Sequence, residues 1–427
     1  MAKIKPFKAL TYNSDKIKEL TDVVCPPYDV ISEEQRKFYS SRSENNLVHL
    51  LLPQPAGTKN KYQQAGLILK KWLKDDILRE EEKPAVYFYS QQYSIRGEKK
   101  TRYGFIALLH LGMDNCSAFA HENTRQAPKN DRFNLIKQVK ANLSPIFVVF
   151  PDKKRVINRL FQKNIDEAHP FLKVTDAEKT LHKLWRIDSP ELTDALEKAL
   201  DKEDVFIADG HHRFEVACDY RRMMRDKASS QFTGQEDYNY IMAYFTNTDS
   251  RGLSILPTHR LLKMDEDFDF EAFKLKLKEY FEVEEIRDKV KFFLYMEKCG
   301  RSEHVIGIAK DKKFWLLRLK NIKTLDKLMP DRPKEYRSLD AAILNAIVFE
   351  GMLGFDPEQK GVISYKQDTD ELIAQVQSDG SYIAFFLNPV KIEQIINVAM
   401  AGNRMPPKST YFYPKLLSGL LINKFKE

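Results

Sequence analysis

The sequence predicts a mixed α/β (α+β) fold, and three observations predict it. Short apolar runs at 146–150 and 205–208, partly β-branched and bounded by turn residues, have the length of buried strands. Amphipathic stretches at 155–162 and 190–200, and the Gly- and Pro-free stretch 215–226, read as helices among them. At 427 residues the chain is too long for one ordinary core, so two regions are expected. An N-terminal α/β region spans 1–262, and a C-terminal α/β region spans 263–427 and opens on the strongly charged stretch 263–285.

Taken in order, Val23 and Val24 lead into Cys25-Pro26-Pro27-Tyr28-Asp29. This turn either only fixes backbone shape or presents Tyr28 and Asp29 to a substrate. Ser32 with Gln35 resembles a capping box for a helix running through Tyr39. The stretch 60–76 is a helix with Leu67, Leu69, Trp72 and Leu73 as its apolar positions. Runs 85–89, 93–95 and 101–111 read as three antiparallel strands turning near Gly97. A helix is expected over 133–142, a strand over 183–187, another over 238–246, and a third over 253–260 that ends in Thr258-His259-Arg260. Further on, Phe268, Phe270, Phe273, Leu277 and Phe281 stand near helical spacing, and 305–309 with 314–319 form a hairpin. Helices are expected over 339–351, 372–377 and 390–399, and strands over 361–365 and 382–387. No repeat or heptad array is evident.

Composition narrows the class of function. The chain has 69 basic and 61 acidic residues, a net charge of +8 spread along its length, which suits an anionic ligand without calling for nucleic acid. Four cysteines, Cys25, Cys116, Cys218 and Cys299, form no Cys-x-x-Cys pair and fit a reducing, cytoplasmic setting. Cys218 reads as packing. The first ten residues lack the apolar core of a signal peptide, and the longest apolar runs are too short to span a bilayer, so no membrane partner is expected. A homo-oligomer is left open.

The chemistry concentrates in Asp209-Gly210-His211-His212-Arg213-Phe214-Glu215. An Asp ends a strand, a Gly makes the turn, and His-His-Arg opens a helix whose unpaired N–H groups and dipole favour an anion. Arg213 adds a fork suited to phosphate. Asp209 offers a carboxylate for a metal or a proton, and the histidines titrate near neutral pH. Three distant segments are candidate companions. His121-Glu122-Asn123, followed by Lys129, Asp131 and Arg132, is either a solvated loop or a wall of the site with Glu122 as base or metal ligand. Thr258-His259-Arg260 is a second cationic cluster. Lys408-Ser409-Thr410, between prolines and aromatics, either closes over a phosphate or belongs to a tail docked by its rings; with no glycines around it, it is not a Walker loop.

Together, Pro26-Pro27-Tyr28-Asp29-Val30-Ile31, His121-Glu122-Asn123-Thr124, Asn142-Leu143-Ser144-Pro145-Ile146-Phe147, Asp209-Gly210-His211-His212-Arg213, Pro257-Thr258-His259-Arg260 and 405–415 resemble the hallmarks of a prokaryotic family, domain of unknown function 1015. The resemblance covers nearly the whole chain and implies membership but no activity. The Asp-Gly-His-x-Arg piece also resembles the Gly-x-x-Arg motif of the ParB/sulfiredoxin superfamily. That second resemblance implies a ParB/sulfiredoxin-like phosphate-binding core around the strand-Gly-turn-helix motif, with further sheet and helical elaborations. Members bind nucleotide phosphates through this motif, and the free-serine kinases among them resemble it most closely, since they too carry Asp-Gly-His before the Arg. The likeness implies Asp209 as a catalytic or Mg2+-associated acid, His212 as a phosphate or substrate contact and Arg213 as a phosphate clamp. Gly210, His211, His259, Arg260, Lys408, Ser409 and Thr410 are further phosphate or nucleotide candidates, and Tyr28, Asp29, His121 and Asn123 are substrate candidates. The kinases also use a separate Glu, for which Glu122 is the candidate. Sulfiredoxin's reactive Cys has no counterpart in the motif.

The leading reading is a small-molecule kinase that moves a phosphoryl group from ATP, ADP or pyrophosphate, with Mg2+, to a small hydroxyl metabolite, free L-serine being favoured. A second is a nucleotide-binding and nucleotide-hydrolysing regulator of ParB type, which calls for a helix-turn-helix after the motif, where 253–260 reads as a strand. A third is a metal-dependent hydrolase built on Asp209, His211, His212 and Glu215. Adjacent histidines on a helix point about 100° apart and rarely share one metal.

Overall fold

A computed structural model describes residues 2–112, 118–201, 203–228, 232–357, 359 and 361–426. It has the mixed α/β class the sequence predicts, arranged as two units. Cys116 lies outside the described residues. Among the described residues no helix is long and apolar enough to cross a membrane.

The first unit comprises Met1–Ala120, Thr124–Ser254 and Tyr413–Glu427. Its main sheet runs in the order Phe206–Asp209, Ile146–Phe150, Tyr240–Asn247, Glu98–His110, Val86–Ile95, Leu181–Ile187, Leu172–Thr175. Only the Ile146–Phe150 and Tyr240–Asn247 neighbours in that order are parallel. One face carries Phe88, Phe105, Val148, Ile207, Ala243 and Phe245, covered by apolar side chains of the helices Val156–Asn164, Pro190–Leu200 and His211–Ala228. Strand side chains alternate faces, so Tyr87, Tyr89, Gln91, Arg102, Phe147 and Tyr244, all buried, belong to the opposite face. A separate cluster around Leu10, Leu50, Leu69, Trp72 and Leu135 packs the helices near the N-terminus against Gln126–Val139.

The second unit comprises His121–Asn123 and Ile255–Phe412. Its antiparallel sheet runs Phe281–Ile286, Lys313–Leu319, Val305–Lys310, Tyr382–Leu387, His259–Lys263, Ile363–Lys366. Both faces are covered. Phe273, Leu277, Ile343 and Phe349 lie over Leu262, Ile306, Ile308 and Phe385, while Phe292, Met296, Leu372 and Val376 lie over Leu261, Ala309, Leu316 and Phe386.

Several local expectations are corrected. The two strands expected at 85–89 and 93–95 are one strand, Val86–Ile95. Its polar middle does not end it, because Gln91 is buried and accepts from Arg102 across the pairing. The helix expected over 133–142 is Gln126–Val139. Pro128 sits in its first turn, where a missing N–H does no harm. The helix stops at Lys140 in the left-handed region, and Ala141–Asn142 pairs as a short strand. Pro257 divides the strand expected over 253–260 into Ser254–Leu256 and His259–Lys263, so His259 and Arg260 begin a strand rather than end one. Leu67 is 43% exposed because it lies off the Ala65, Leu69, Trp72 stripe of its helix.

Gly104 marks the tightest approach within the first sheet. A Cβ there would lie 2.3 Å from the Phe245 carbonyl oxygen and 2.5 Å from the Tyr244 ring. Overpacking of this kind destabilises by about 3 kcal/mol. Gly104→Ala is therefore expected to lower the urea midpoint of the full chain by an amount of that order, with the slope unchanged. A midpoint equal to that of the unsubstituted protein would show that the strand can give way.

Candidate functional site

The strand Phe206–Asp209 ends the first sheet next to Ile146–Phe150, in the register Ile207 to Val148 and Asp209 to Phe147. The two partners are consecutive, while Ile207 and Asp209 are two apart, so Ala208 is a bulge. The bulge matters because side-chain direction has a period of two. Without it Asp209 would share the apolar face of Ile207; with it Asp209 shares the face of Phe147. Gly210 follows with φ +90, and a Cβ there would meet the Arg213 guanidinium at 3.0 Å and Ile146 at 3.0 Å. Glycine satisfies both demands. The helix His211–Ala228 starts at once, anchored by Phe214 and Ala217 in the core. Cys218 packs on the same core.

Asp209 is held by two cations. Its Oδ1 accepts from Lys415 Nζ at 2.5 Å, and its Oδ2 from Arg213 Nη2 at 3.0 Å. Arg213 Nη1 donates to the Pro145 carbonyl at 2.5 Å. Burial raises the Asp209 carboxyl, but the charges of Lys415 and Arg213 outweigh it and hold the group well below the usual carboxylate range. The Asp209 carboxylate therefore lies with two cationic side chains at the start of a helix, whose first N–H groups and dipole favour an anion.

Neighbouring residues of the helix are committed elsewhere. The Arg125 N–H donates to His212 Nε2 at 3.0 Å, which places the proton of a neutral His212 ring on Nδ1. Glu215 accepts from Thr124 Oγ1 and pairs with Lys129 Nζ at 3.2 Å. His211 is buried. Among the described residues no group of three or more His, Cys, Asp or Glu is placed to hold a metal ion. Both Asp209 oxygens carry cations, so Mg2+ would reach them only by displacing Lys415 or Arg213. The donor set as arranged does not fit the ion.

A cavity of about 60 Å³ lies beside Arg213, walled by Tyr28, Arg132 and apolar groups including Leu135, Val139 and Val216. Arg132 stacks its guanidinium 4.2 Å from the Tyr28 ring centroid and donates to the Leu51 carbonyl at 2.7 Å. Burial, then Asp29, push the Tyr28 hydroxyl above its usual value. Asp29 itself is exposed.

Other candidates gather within the second unit. The His121 carbonyl accepts from the Met405 N–H at 2.6 Å, and His121 Nε2 lies 3.3 Å from Thr410 Oγ1. Glu122 Oε1 accepts from the Lys408 N–H at 3.3 Å, and its carbonyl from Arg404 at 2.8 Å. Ser409 Oγ is buried and donates to the Pro406 carbonyl at 2.6 Å. Asn123 and the Lys408 side chain are exposed. His259 and Arg260, adjacent in a strand, face opposite sides of the sheet. The His259 ring packs 5.0 Å from Phe386 and its Nδ1 accepts from Leu387 N–H at 3.2 Å, while Arg260 faces a cavity with Thr258 and Ser409. They do not form one cationic cluster.

Sequence reasoning passed over Lys415 and the residues that aim it. The backbone of 413–415 lies over the polar face of the first sheet. Arg102, fully buried, donates to the Tyr413 carbonyl at 3.2 Å and the Pro414 carbonyl at 2.6 Å, and Gln91 Nε2 donates to the Lys415 carbonyl at 2.9 Å. A buried Arg paired across strands with a buried Gln was the available signal, but no spacing rule connects residue 415 to residue 209.

The chain belongs to the family described as Protein of unknown function (DUF1015), whose profile matches residues 4–342. No curated protein matches it. Among solved structures it is similar to a free serine kinase mutant in complex with ADP, at 13% identity and TM-score 0.34, over 69% of this chain and 84% of that one. It is also similar to SbnI with a C-terminal truncation from Staphylococcus aureus, at 10% identity and TM-score 0.36, over 74% and 86%. A conserved hypothetical protein from Pyrococcus furiosus is similar at 13% identity and TM-score 0.32, over 70% and 89%.

The Asp209 ion pairs carry a pH signature. Folding depresses this carboxyl, so its stabilisation is complete above its unfolded value of about 4 and is lost as pH falls toward the folded value. Lys415→Met leaves Asp209 buried with Arg213 alone and is expected to destabilise by about 3 kcal/mol near neutral pH. It also brings the Asp209 carboxyl back toward its unfolded value, so stability falls less steeply in acid. Denaturant melts near neutral pH and near pH 3 check both; an acid slope equal to that of the unsubstituted protein would remove Lys415 from this role.

Proposed function

We propose that this protein is a small-molecule kinase whose Asp209–Arg213 turn holds the phosphates of the donor. One observation carries the reading: a single carboxylate, Asp209, is set between two cations at the N-terminus of an 18-residue helix, behind a glycine turn with φ +90. The first N–H groups and dipole of such a helix favour an anion, and the glycine turn lets a ligand approach the backbone closely, as phosphate recognition requires. Phosphoryl transfer asks mainly for positioning and charge neutralisation. With its proton affinity so low, Asp209 is a poor base in this pairing; its part is to orient Arg213 and Lys415. The Asp-Gly-His-x-Arg motif resembles that of the free-serine kinases, and it points to ATP, ADP or pyrophosphate as donor and to a small hydroxyl compound, L-serine first, as acceptor. Glu122 is proposed as the residue that takes the acceptor's proton, with His212 a phosphate or substrate contact. Mg2+ enters as the counterion of the donor.

The test is incubation of the full chain with each donor, Mg2+ and a panel of hydroxyl metabolites headed by L-serine, read by phosphorus magnetic resonance. A phosphorylated acceptor is expected. Glu122→Gln should abolish turnover and leave donor binding intact, and Arg213→Lys should weaken donor binding about tenfold or more, the loss of one charge-assisted bidentate contact. Absence of product with every pair would overturn the kinase reading.

A further inference from the structure

The second unit contains a buried cation that the protein does not neutralise. Arg260 is 2% exposed, yet its hydrogen-bond partner among the described residues is a backbone carbonyl, that of Thr258. Its guanidinium also lies 5.5 Å from the Tyr365 ring centroid. No carboxylate of the described residues pairs with it, and burial brings its pKa down to about 10. A guanidinium carries five N–H donors, and most of these are left without a protein acceptor. Burying a charge in this state is destabilising unless something else pairs with it.

The same guanidinium helps wall a cavity of about 20 Å³ with Thr258, Asp340, Asn388, Gln394 and Ser409. Four of the other polar walls have partners of their own. Asn388 donates to the Met296 carbonyl at 3.0 Å, Gln394 to the Ser338 carbonyl at 3.3 Å, and Ser409 to the Pro406 carbonyl at 2.6 Å. Asp340 pairs with His304 at 2.9 Å. Arg260 is the charged donor of this wall and the one with most N–H groups to spare.

We propose that this cavity binds a small monocarboxylate, with both carboxylate oxygens on the Arg260 fork. The planar guanidinium matches a planar carboxylate in two parallel bonds. One uncompensated cation calls for one negative charge, whereas a phosphate dianion would bring a second charge toward the Asp340 carboxylate on the same wall. The space is small, about 20 Å³, little more than a water-sized group needs, which favours a compact molecule whose carboxylate alone enters. This site stands whether or not the protein transfers phosphate.

The test uses the full chain, thermal melts and titration calorimetry, with glycolate, L-lactate, L-serine and inorganic phosphate as probes and no nucleotide. At least one carboxylate is expected to raise Tm saturably, and Arg260→Met is expected to lose that response while keeping or raising the unliganded Tm. Arg260→Lys, which keeps the charge without the fork, should bind the carboxylate at least tenfold more weakly. If Arg260→Met does not fold, the Lys variant decides: weakened binding supports the site, and unchanged binding overturns it. No response to any carboxylate, a response retained in Arg260→Met, or an Arg260-dependent response to phosphate alone would each overturn the proposal.

Discussion

The pairing of Asp209 with Lys415 and Arg213 is the interaction around which the first unit is arranged. A buried carboxylate is tolerable only with cations beside it, and here the two cations come from residues four and 206 positions away. That requirement reaches into the backbone. The bulge at Ala208 turns Asp209 toward the polar face, Gly210 makes room for the guanidinium, and the Pro145 carbonyl fixes the other arm of Arg213. Each of these features is costly or neutral for folding by itself. Together they place charge where a helix begins, which is where charge acts most strongly on an anion.

Lys415 depends in turn on a layer beneath it. Gln91 and Arg102 are cross-strand neighbours, and both are buried on the face that carries Phe147 and Tyr244. Arg102 stacks 4.5 Å from the Phe147 ring and spends its donors on Gln91 and on the carbonyls of Tyr413 and Pro414. The last segment of the chain is thereby fixed by its backbone, and the Lys415 side chain is free to reach Asp209. The first sheet has two functions on its two faces: an apolar one that packs helices and a polar one that orders a distant strand of chain.

Much of this was legible in the sequence where the signal is local. Short apolar runs gave the central strands, Ser32 with Gln35 gave a capping box that forms as expected, and the strand-Gly-helix order at 206–213 followed from residue types alone. Local signals failed where tertiary contacts reverse the usual meaning of a residue. Gln91 is polar and sits mid-strand because Arg102 pairs with it. Pro128 lies inside a helix because the first turn tolerates it. Thr258-His259-Arg260 looked like one cluster because charge was counted and strand alternation was not; the two side chains point to opposite faces. Lys415 was invisible as a partner of Asp209 because ion pairs across 206 residues leave no periodicity.

The arginines of the chain separate according to how completely the protein satisfies them. Arg102 has a full set of acceptors, and its burial is explained by the segment it orders. Arg132 has Asp131, the Leu51 carbonyl and the Tyr28 ring. Arg213 has Asp209 and the Pro145 carbonyl, and shares its carboxylate with Lys415. Arg260 has a carbonyl and a ring face, and no anion. Since a buried donor left without an acceptor is costly, the number of donors each guanidinium has satisfied separates these residues. Arg132 has an anion, Asp131, and Arg102, with neutral acceptors only, has its donors taken up by Gln91 and two carbonyls. Arg213 shares its carboxylate with a second cation and Arg260 has none within reach among the described residues, and these are the two positions from which the proposed anionic ligands are argued.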